Sequence, residues 1–256
     1  MKLCYYVILY VIAVCSISCT HYVQVYETKT TSQMATDGNA FSFENDTLKI
    51  TYYFWAEHGT LSYTVFNKLN VPLYIDWKKS SYVKNSEKLD YWIDITTTNG
   101  VTKGHVTSTY YGTVYGKSYN NSTTVKPQQI VFIAPKSSIS KDQFIIATFP
   151  KVDFDNNAQY IESKRTDQPK KSIQLKYMDY NEGNSILVFR NFLTVSTSDR
   201  FDKETYIDNG FYISRITEMD RGTFWGTLSG STEDWRRKND SKISFASPKN
   251  FYIEIK

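Results

Sequence analysis

The sequence predicts an all-β protein, an immunoglobulin-like antiparallel β-sandwich, and three observations lead to this fold class. Aromatic residues make up 16% of the chain, with 21 Tyr and 15 Phe. Such side chains lose χ1 freedom in helices and suit the half-buried surface of a sheet. Short runs of alternating apolar and polar residues recur, and no amphipathic stretch has convincing helical length. The 256 residues also suit one main domain, since sandwiches of about 200 to 250 residues commonly stay single.

The clearest pair of strands lies between residues 48 and 66. Apolar residues take alternate positions in 48–55 and again in 61–66, which is the period of a half-buried strand. Gly59 lies between the two runs, and glycine supplies the positive φ of a tight turn. We therefore expect a hairpin here, followed by a turn over 67–72 and a strand over 73–77.

Further strands are expected where β-branched and aromatic residues cluster between turn residues. The segments are 106–115, 129–133, 143–149, 185–197, 210–217 and 250–255. Irregular long hairpins fit between them, and helical turns are expected at 203–207 or 232–237. No internal repeat with a fixed period is present.

The N-terminus has the pattern of an export signal. Lys2 precedes an apolar run over residues 3–17 that ends in small residues. This run is too short to cross a bilayer comfortably, because spanning needs about 20 apolar residues. We therefore expect residues 1–18 to be a signal peptide.

All three cysteines, Cys4, Cys15 and Cys19, lie in this region. Ser16-Ile17-Ser18-Cys19 resembles a bacterial lipobox, although Ser16 replaces the usual Leu, Val or Ile. Cleavage before Cys19 would leave one cysteine, whose sulfur a diacylglycerol would occupy, so no disulfide could form in the mature chain. We expect lipidation at Cys19; ordinary secretion with a bare thiol is the alternative.

The region after Cys19 combines a strand-like and a linker-like segment. Residues 20–29 alternate as a first strand would, whereas residues 30–39 are polar and contain glycine. We therefore divide the mature chain into a lipidated N-terminus with a possible first strand and linker, 19–45, and a β-sandwich domain, 46–256.

Several segments of the mature chain resemble a group of lipoproteins from Bacteroides and related gut bacteria that has no assigned activity. The segments are Cys19-Thr20, Tyr22-Val23-Gln24-Val25-Tyr26, Asn67-Lys68, residues 74–82 and residues 184–194. The resemblance covers most of the mature chain and implies export, lipidation and a β fold. It implies no catalytic residue.

The resemblance also bears on location. Surface-displayed lipoproteins of such bacteria carry an acidic run just after the lipidated cysteine, and residues 20–24 contain none. We therefore expect a lipid anchor in the outer membrane on the periplasmic face, with surface exposure left open. The 30 basic and 26 acidic residues are spread along the chain, so nucleic acid is not an expected partner.

Signatures of catalysis are missing from the sequence. It has no G-x-S-x-G, no H-E-x-x-H, no Gly-rich phosphate loop and no C-x-x-C. His21, His58 and His105 are expected as loop residues, and Asp76 and Glu57 as exposed acids at strand ends. We therefore nominate no catalytic residue, metal ligand or cofactor, and we favour a protein that is not an enzyme.

Residues 108–121 mix Tyr with Gly, Ser and Asn, as binding loops often do. Tyr gives a rigid contact face with a polar tip, and Tyr110, Tyr111, Tyr115 and Tyr119 are the candidate ligand-binding residues. The alternative interpretation is a long β-hairpin whose Tyr residues cover the sandwich, with Gly112 and Gly116 at bulges.

Three classes of function follow, of which the third is a purely structural accessory subunit. We expect a cell-envelope lipoprotein that binds or supports a protein or glycan partner. The alternative is a hydrolase acting on envelope glycans, which needs two carboxylates about 5 to 9.5 Å apart across a cleft.

Overall fold

The computed structural model describes residues 21–94, 97–108, 114–125, 127–154, 157–164, 170–225 and 245–255. In these ranges the protein is an antiparallel, sandwich-like arrangement of sheets, which confirms the predicted all-β fold. Its strands are β1 (Tyr22–Thr30), β2 (Ala35–Asp37), β3 (Ala40–Glu44), β4 (Leu48–Tyr53), β5 (Thr60–Asn67), β6 (Leu73–Lys84), β7 (Glu87–Asp90), β8 (Thr97–Ser108), β9 (Val114–Val125), β10 (Ile130–Ile133), β11 (Ser138–Ile145), β12 (Gln159–Lys164), β13 (Ser172–Asp179), β14 (Val188–Ser196), β15 (Thr205–Asp220) and β16 (Asn250–Ile255). A short helix, α1 (Arg221–Trp225), follows β15.

Two sheets form the sandwich, and a third stands apart from them. The larger sheet has the order β10-β6-β14-β15-β1-β16, with β7 on β6 and the β12–β13 pair on β15. The smaller sheet has the order β11-β5-β4-β3-β2. Strands β8 and β9 pair with each other as a separate hairpin.

Alternating side chains of the two sheets meet in an aromatic core. In β4 the buried residues are Leu48, Ile50 and Tyr52, and the residues between them are partly or fully exposed. Phe54 packs edge-on against Phe211 at 5.0 Å between ring centroids. Aromatic pairs in this geometry add to the free energy of simple burial. A second cluster forms beside α1, from Val23, Val25, Leu175, Met219, Phe224, Trp225 and Tyr252.

Several predicted elements are found close to their expected positions. The hairpin over 48–66 is confirmed as β4 and β5, with His58 at φ 61° and Gly59 at φ 68° in its turn. The segments 129–133, 185–197 and 250–255 contain β10, β14 and β16.

Other predicted elements are corrected by the structure. Residues 106–115 are not one strand, because β8 ends at Ser108 and β9 begins at Val114. Residues 146–149 lie beyond the end of β11, and the helical turn expected at 203–207 is instead the start of β15. The second expected turn, 232–237, lies outside the described residues.

Strands β7 and β10 share one edge of β6. Ser81 to Lys84 pair with β7, and Leu73 to Asp76 pair with β10, while β14 occupies the opposite edge of both halves. After β7 the chain therefore leaves the larger sheet and forms the β8–β9 hairpin. It then rejoins the sheet as β10, at the same edge of β6.

Strand β1 lies in the interior of the larger sheet. It pairs with β15 on one side and β16 on the other, so that Tyr22 faces both Asp220 and Ile255. Strand β1 is therefore an integral part of the larger sheet. Among the described helices, none has the length and apolar character needed to traverse a bilayer.

Candidate ligand-binding site

A cleft of about 540 Å³ opens at the edge of the larger sheet, near the point where β7 ends and β10 begins along β6. It lies between that edge, formed by β6 and β10, and the edge strand of the smaller sheet, β11. We call it the edge cleft. Its lining residues are Trp77, Tyr91, Trp92, Pro127, Gln128, Val131, Ile139, Ser140 and Lys141.

Two nearly buried rings form the floor of the edge cleft. Trp77 and Tyr91 are 4% and 5% exposed, and their ring centroids are 5.5 Å apart. The Tyr91 hydroxyl donates a hydrogen bond of 2.8 Å to Asn191 Oδ1. Asn191 Nδ2 in turn donates to the Tyr52 hydroxyl at 3.0 Å, in the centre of the core. Asn191 belongs to the larger sheet and Tyr52 to the smaller one. The two hydrogen bonds of Asn191 therefore hold the Tyr91 ring in one position relative to both sheets.

A bulge in β6 places Trp77 on this floor. Across from it, Phe192 pairs with Ser81 and Thr194 pairs with Asp76, so residues 77–80 arch out of the ladder. The Ser80 hydroxyl donates to the Asp76 carbonyl at 2.6 Å and accepts the Thr194 backbone N–H at 3.0 Å. These bonds replace the ladder bonds that the arch loses.

The Asp76 side chain holds the same arch from within. Its Oδ1 accepts the backbone N–H groups of Lys78 and Lys79, at 2.9 and 3.3 Å. The expectation of an exposed strand-end acid is wrong for Asp76, which is 3% exposed. Its carboxylate is buried because two backbone donors replace its water.

Trp92 forms the accessible wall of the edge cleft. It is partly exposed, and its indole Nε1 donates a hydrogen bond of 3.1 Å to the Pro127 carbonyl. The backbone N–H of Trp77 donates to the Gln129 carbonyl at 2.8 Å. The segments that precede and follow the β8–β9 hairpin are thus hydrogen-bonded to each other, through Trp92 and Pro127, and to β6, through Gln129 and Trp77.

Two lysine ammonium groups lie over the rings of the cleft. Lys141 Nζ is 4.9 Å from the Trp77 ring centroid and 5.9 Å from that of Tyr91. Lys78 Nζ is 5.6 Å from the ring centroid of Trp92. Burial lowers the pKa of Lys141, and the neighbouring Asp142 opposes that shift. Both lysines gain cation–π attraction from these rings.

In the sequence, the four candidate tyrosines fall within β9 or between β8 and β9. Tyr110 and Tyr111 lie outside the described residues. Tyr115 and Tyr119 are on β9, where they pair with Thr107 and Lys103. The hairpin of the alternative interpretation is therefore present at the level of the backbone. Cys19 also lies outside the described residues.

The histidines and Glu57 occupy separate places. His21 precedes β1, His58 is in the β4–β5 turn with its backbone N–H bound to the Tyr252 carbonyl at 2.7 Å, and His105 pairs with Lys117 on the hairpin. Glu57 is exposed beside that turn, as expected. Within the described part of the chain, no group of three His, Cys, Asp or Glu residues is placed to hold a metal ion.

Sequence reasoning missed Trp92 and Lys141 as site residues. Trp92 follows a short strand that was not predicted, so its position gave no signal. Lys141 gave one, because β11 alternates and places Ile139 and Lys141 on its less exposed face, with Ser138 and Ser140 on the other. A lysine in an inward position of a strand is unusual and indicates a special environment.

Comparisons with protein-family models, with curated proteins and with solved structures returned no match. The candidate site is therefore assigned from its geometry alone.

Proposed function

We propose that this protein is a lipid-anchored envelope protein that binds a glycan in the edge cleft. The observation that carries the proposal is the partly exposed Trp92 ring standing beside a rigid floor of two further rings. Flat apolar ring faces match the C–H faces of sugars, while hydroxyl groups of the sugar need polar partners at the rim.

The composition of the edge cleft supports this proposal. Ligand sites are typically concave, about 300 to 1,000 Å³ in volume, and lined by apolar and aromatic groups with a few fixed polar ones. The edge cleft has such a volume, at about 540 Å³, and its polar side chains include those of Gln128 and Lys141. The floor is held by hydrogen bonds to the core, which lowers the entropy lost on binding.

The hydrolase alternative has less support at this position. It needs two carboxylates facing each other, whereas none of the described residues lining the edge cleft is Asp or Glu. These walls instead provide ring faces, an amide and an ammonium group.

The proposed anchor is a diacylglycerol on Cys19, with the outer membrane as the site and its periplasmic face as the side. Thr20 and His21 separate Cys19 from the start of β1 at Tyr22. Three residues of extended chain span about 10 Å. The sandwich would therefore rest close to the bilayer, with little freedom to move away from it.

Glycan binding is tested with the full-length protein purified from membranes in detergent. The probe is an array of neutral and acidic oligosaccharides, followed by tryptophan fluorescence titration of the hits. Trp92→Ala should weaken binding at least tenfold, or about 1.4 kcal/mol. Tyr160→Ala is the control, because Tyr160 is an exposed aromatic residue on β12 outside the cleft. No bound glycan, or equal binding by Trp92→Ala, would overturn the proposal.

The anchor is tested separately by mass spectrometry of the mature N-terminus. We expect a diacylglyceryl group on Cys19, and release of Cys19→Ser into the soluble fraction. A bare thiol on a freely soluble product would contradict the anchor. Protease added to intact cells should leave the protein uncut if it faces the periplasm, and cleavage would place it on the surface.

A further inference from the structure

We propose that the glycan bound in the edge cleft carries an acidic group, a carboxylate or a sulfate, and that this oxyanion binds the Lys141 ammonium group. The inference rests on the proposed function and names the class of its ligand. It follows from where Lys141 lies and from what is missing around it.

Lys141 points into the edge cleft. It takes an inward position on β11, and its Nζ lies 4.9 Å from the ring centroid of Trp77, on the floor. A lysine on a surface strand usually extends its ammonium group into water. Here the ammonium group is instead held at the place where a ligand would sit.

The Lys141 ammonium group has no anionic partner in the described part of the protein. Five other lysines there have a carboxylate within 4.0 Å, namely Lys49, Lys68, Lys79, Lys88 and Lys151. Lys141 and Lys78, the two lysines at the cleft, are among the described lysines that have none, and Lys141 differs from the exposed ones in being partly buried. Asp142, the nearest acid in sequence, takes an exposed position on β11.

The surroundings of Lys141 make this free charge costly. Partial burial removes water from the ammonium group, and its pKa is lowered as a result. The cation–π attraction of the ring faces offsets only part of this lost hydration. A bound oxyanion would supply the charged hydrogen bond that the site lacks, and such bonds are about twice as strong as neutral ones.

Lys78 places a second positive charge at the Trp92 wall of the edge cleft. Its ammonium group lies 5.6 Å from the ring centroid of Trp92. The edge cleft therefore carries a second positive charge close to its wall, which favours an acidic sugar over a neutral one.

The test compares matched ligands on the full-length protein in detergent, by calorimetry. The probes are a hexamer of galacturonate, its carboxyl-reduced neutral counterpart, a sulfated counterpart and a glutamate-rich peptide of equal charge. We expect an acidic hexamer to bind at least tenfold more tightly than the neutral one, with the difference shrinking as salt is added. The two acidic hexamers distinguish carboxylate from sulfate as the recognised group.

Three variants assign that preference to Lys141. Lys141→Gln should remove most of the preference, leaving only the part due to Lys78, whereas Lys141→Arg should keep most of it, because the charge remains. Lys249→Gln is the matched control. The Lys249 ammonium group also lies over an aromatic ring, with its Nζ 5.5 Å from the ring centroid of Phe41, but Lys249 does not line the cleft.

The outcomes separate this inference from the proposed function. If the neutral hexamer binds as tightly as both acidic ones, the inference is wrong and glycan binding stands. If the glutamate-rich peptide binds more tightly than either acidic hexamer, the ligand is an acidic protein and both proposals fall. If none of the hexamers binds, the acidic-glycan inference falls, and the array with Trp92→Ala decides glycan binding in general. The ligand comparison uses the unmodified protein, so it holds even where a Lys141 variant does not fold.

Discussion

Gly59 shows how one residue can be fixed by two independent requirements. Its φ of 68° lies in the left-handed region, where residues with a Cβ are strained. A Cβ at this position would also lie 2.8 Å from Phe251 Cγ. Phe251 cannot easily yield, because its ring is stacked on Tyr26 at 4.9 Å between centroids. Gly38 shares the positive φ, at 59°, and has open space around it.

Replacing these two glycines by alanine separates the two requirements. Gly38→Ala should lower the free energy of unfolding by about 1 kcal/mol, from backbone strain alone. Gly59→Ala should cost about 2 to 5 kcal/mol, because overpacking against Phe251 adds to the strain. Urea unfolding followed by tryptophan fluorescence measures both. Equal costs would show that the contact with Phe251 relaxes freely.

Glu27 gives a prediction on pH. Burial raises the pKa of Glu27 above its usual 4.5, while Arg215, whose guanidinium group is bound to Asp179 at 2.6 Å, only partly offsets this. The folded state therefore holds the Glu27 proton to higher pH than the unfolded state. The relevant pH range lies between the pKa of Glu27 in the unfolded state and its higher pKa in the folded state. As pH rises through this range the unfolded state releases its proton first, so the free energy of unfolding falls.

The substitution Glu27→Gln should remove this loss. Relative to the unmodified protein, the variant should gain more stability at pH 7 than at pH 4, as measured by urea unfolding at both values. Glu182→Gln, at an exposed position, should show no such difference. A Glu27→Gln difference that is the same at both pH values would contradict the prediction.

At the scale of the element, the arch in β6 decides the shape of the site. A regular strand over residues 73–84 would leave Trp77 and Lys78 in the ladder, whereas the arch carries them to the edge cleft. Asp76 is the residue that closes the arch, through the backbone N–H groups of Lys78 and Lys79.

Variants of Asp76 test this role. Asp76→Ala should lower the free energy of unfolding by about 1 to 3 kcal/mol, because it leaves two partly buried backbone donors without their acceptor. It should also weaken the proposed glycan binding, since Trp77 and Lys78 lose the hydrogen bonds that hold the arch. Asp76→Asn keeps an acceptor oxygen and should retain most of both properties. Binding that is unchanged in Asp76→Ala would show that the arch is held by other bonds.

The strands of this protein could be predicted where a sheet buries one face, and less well elsewhere. Residues 48–66 alternate cleanly because one face of the β4–β5 hairpin packs on the core, and their prediction is confirmed. The arch could not be predicted, because it depends on Thr194 and Ser80, which are far apart in sequence. Strand β12 is exposed along most of its length and gives no clear alternation. The edge cleft was missed for a related reason: Trp77 and Lys141 come from two different sheets.

At the scale of the whole molecule, the last strand completes the larger sheet. Strand β16 covers the free edge of β1 and supplies Phe251 and Ile253 to the main core and Tyr252 to the second cluster. Removing a fully buried Phe or Ile side chain costs about 2 to 5 kcal/mol. Two such losses are comparable with the whole stability of a typical protein, about 5 to 15 kcal/mol.

A chain that stops after Lys249 should therefore fail to fold. Its far-ultraviolet circular dichroism should lose the β signature, and limited trypsin digestion should leave no resistant fragment. A chain that stops after Ile255 keeps the whole of β16 and serves as the control. A resistant β-rich fragment from the shorter chain would show that β1 is stable without its outer neighbour.

The place of β1 between β15 and β16 also sets the order in which the molecule can be made. The partners of β1 are residues 205–220 and 250–255, so Val23 and Val25 reach the ribosome exit tunnel long before any neighbour exists for them. A nascent chain of this protein carries an unpaired apolar strand for nearly the whole of its synthesis, and such strands invite aggregation. We therefore expect the nascent chain to need a holding chaperone until β16 has been made, and the complete fold to form in one late step.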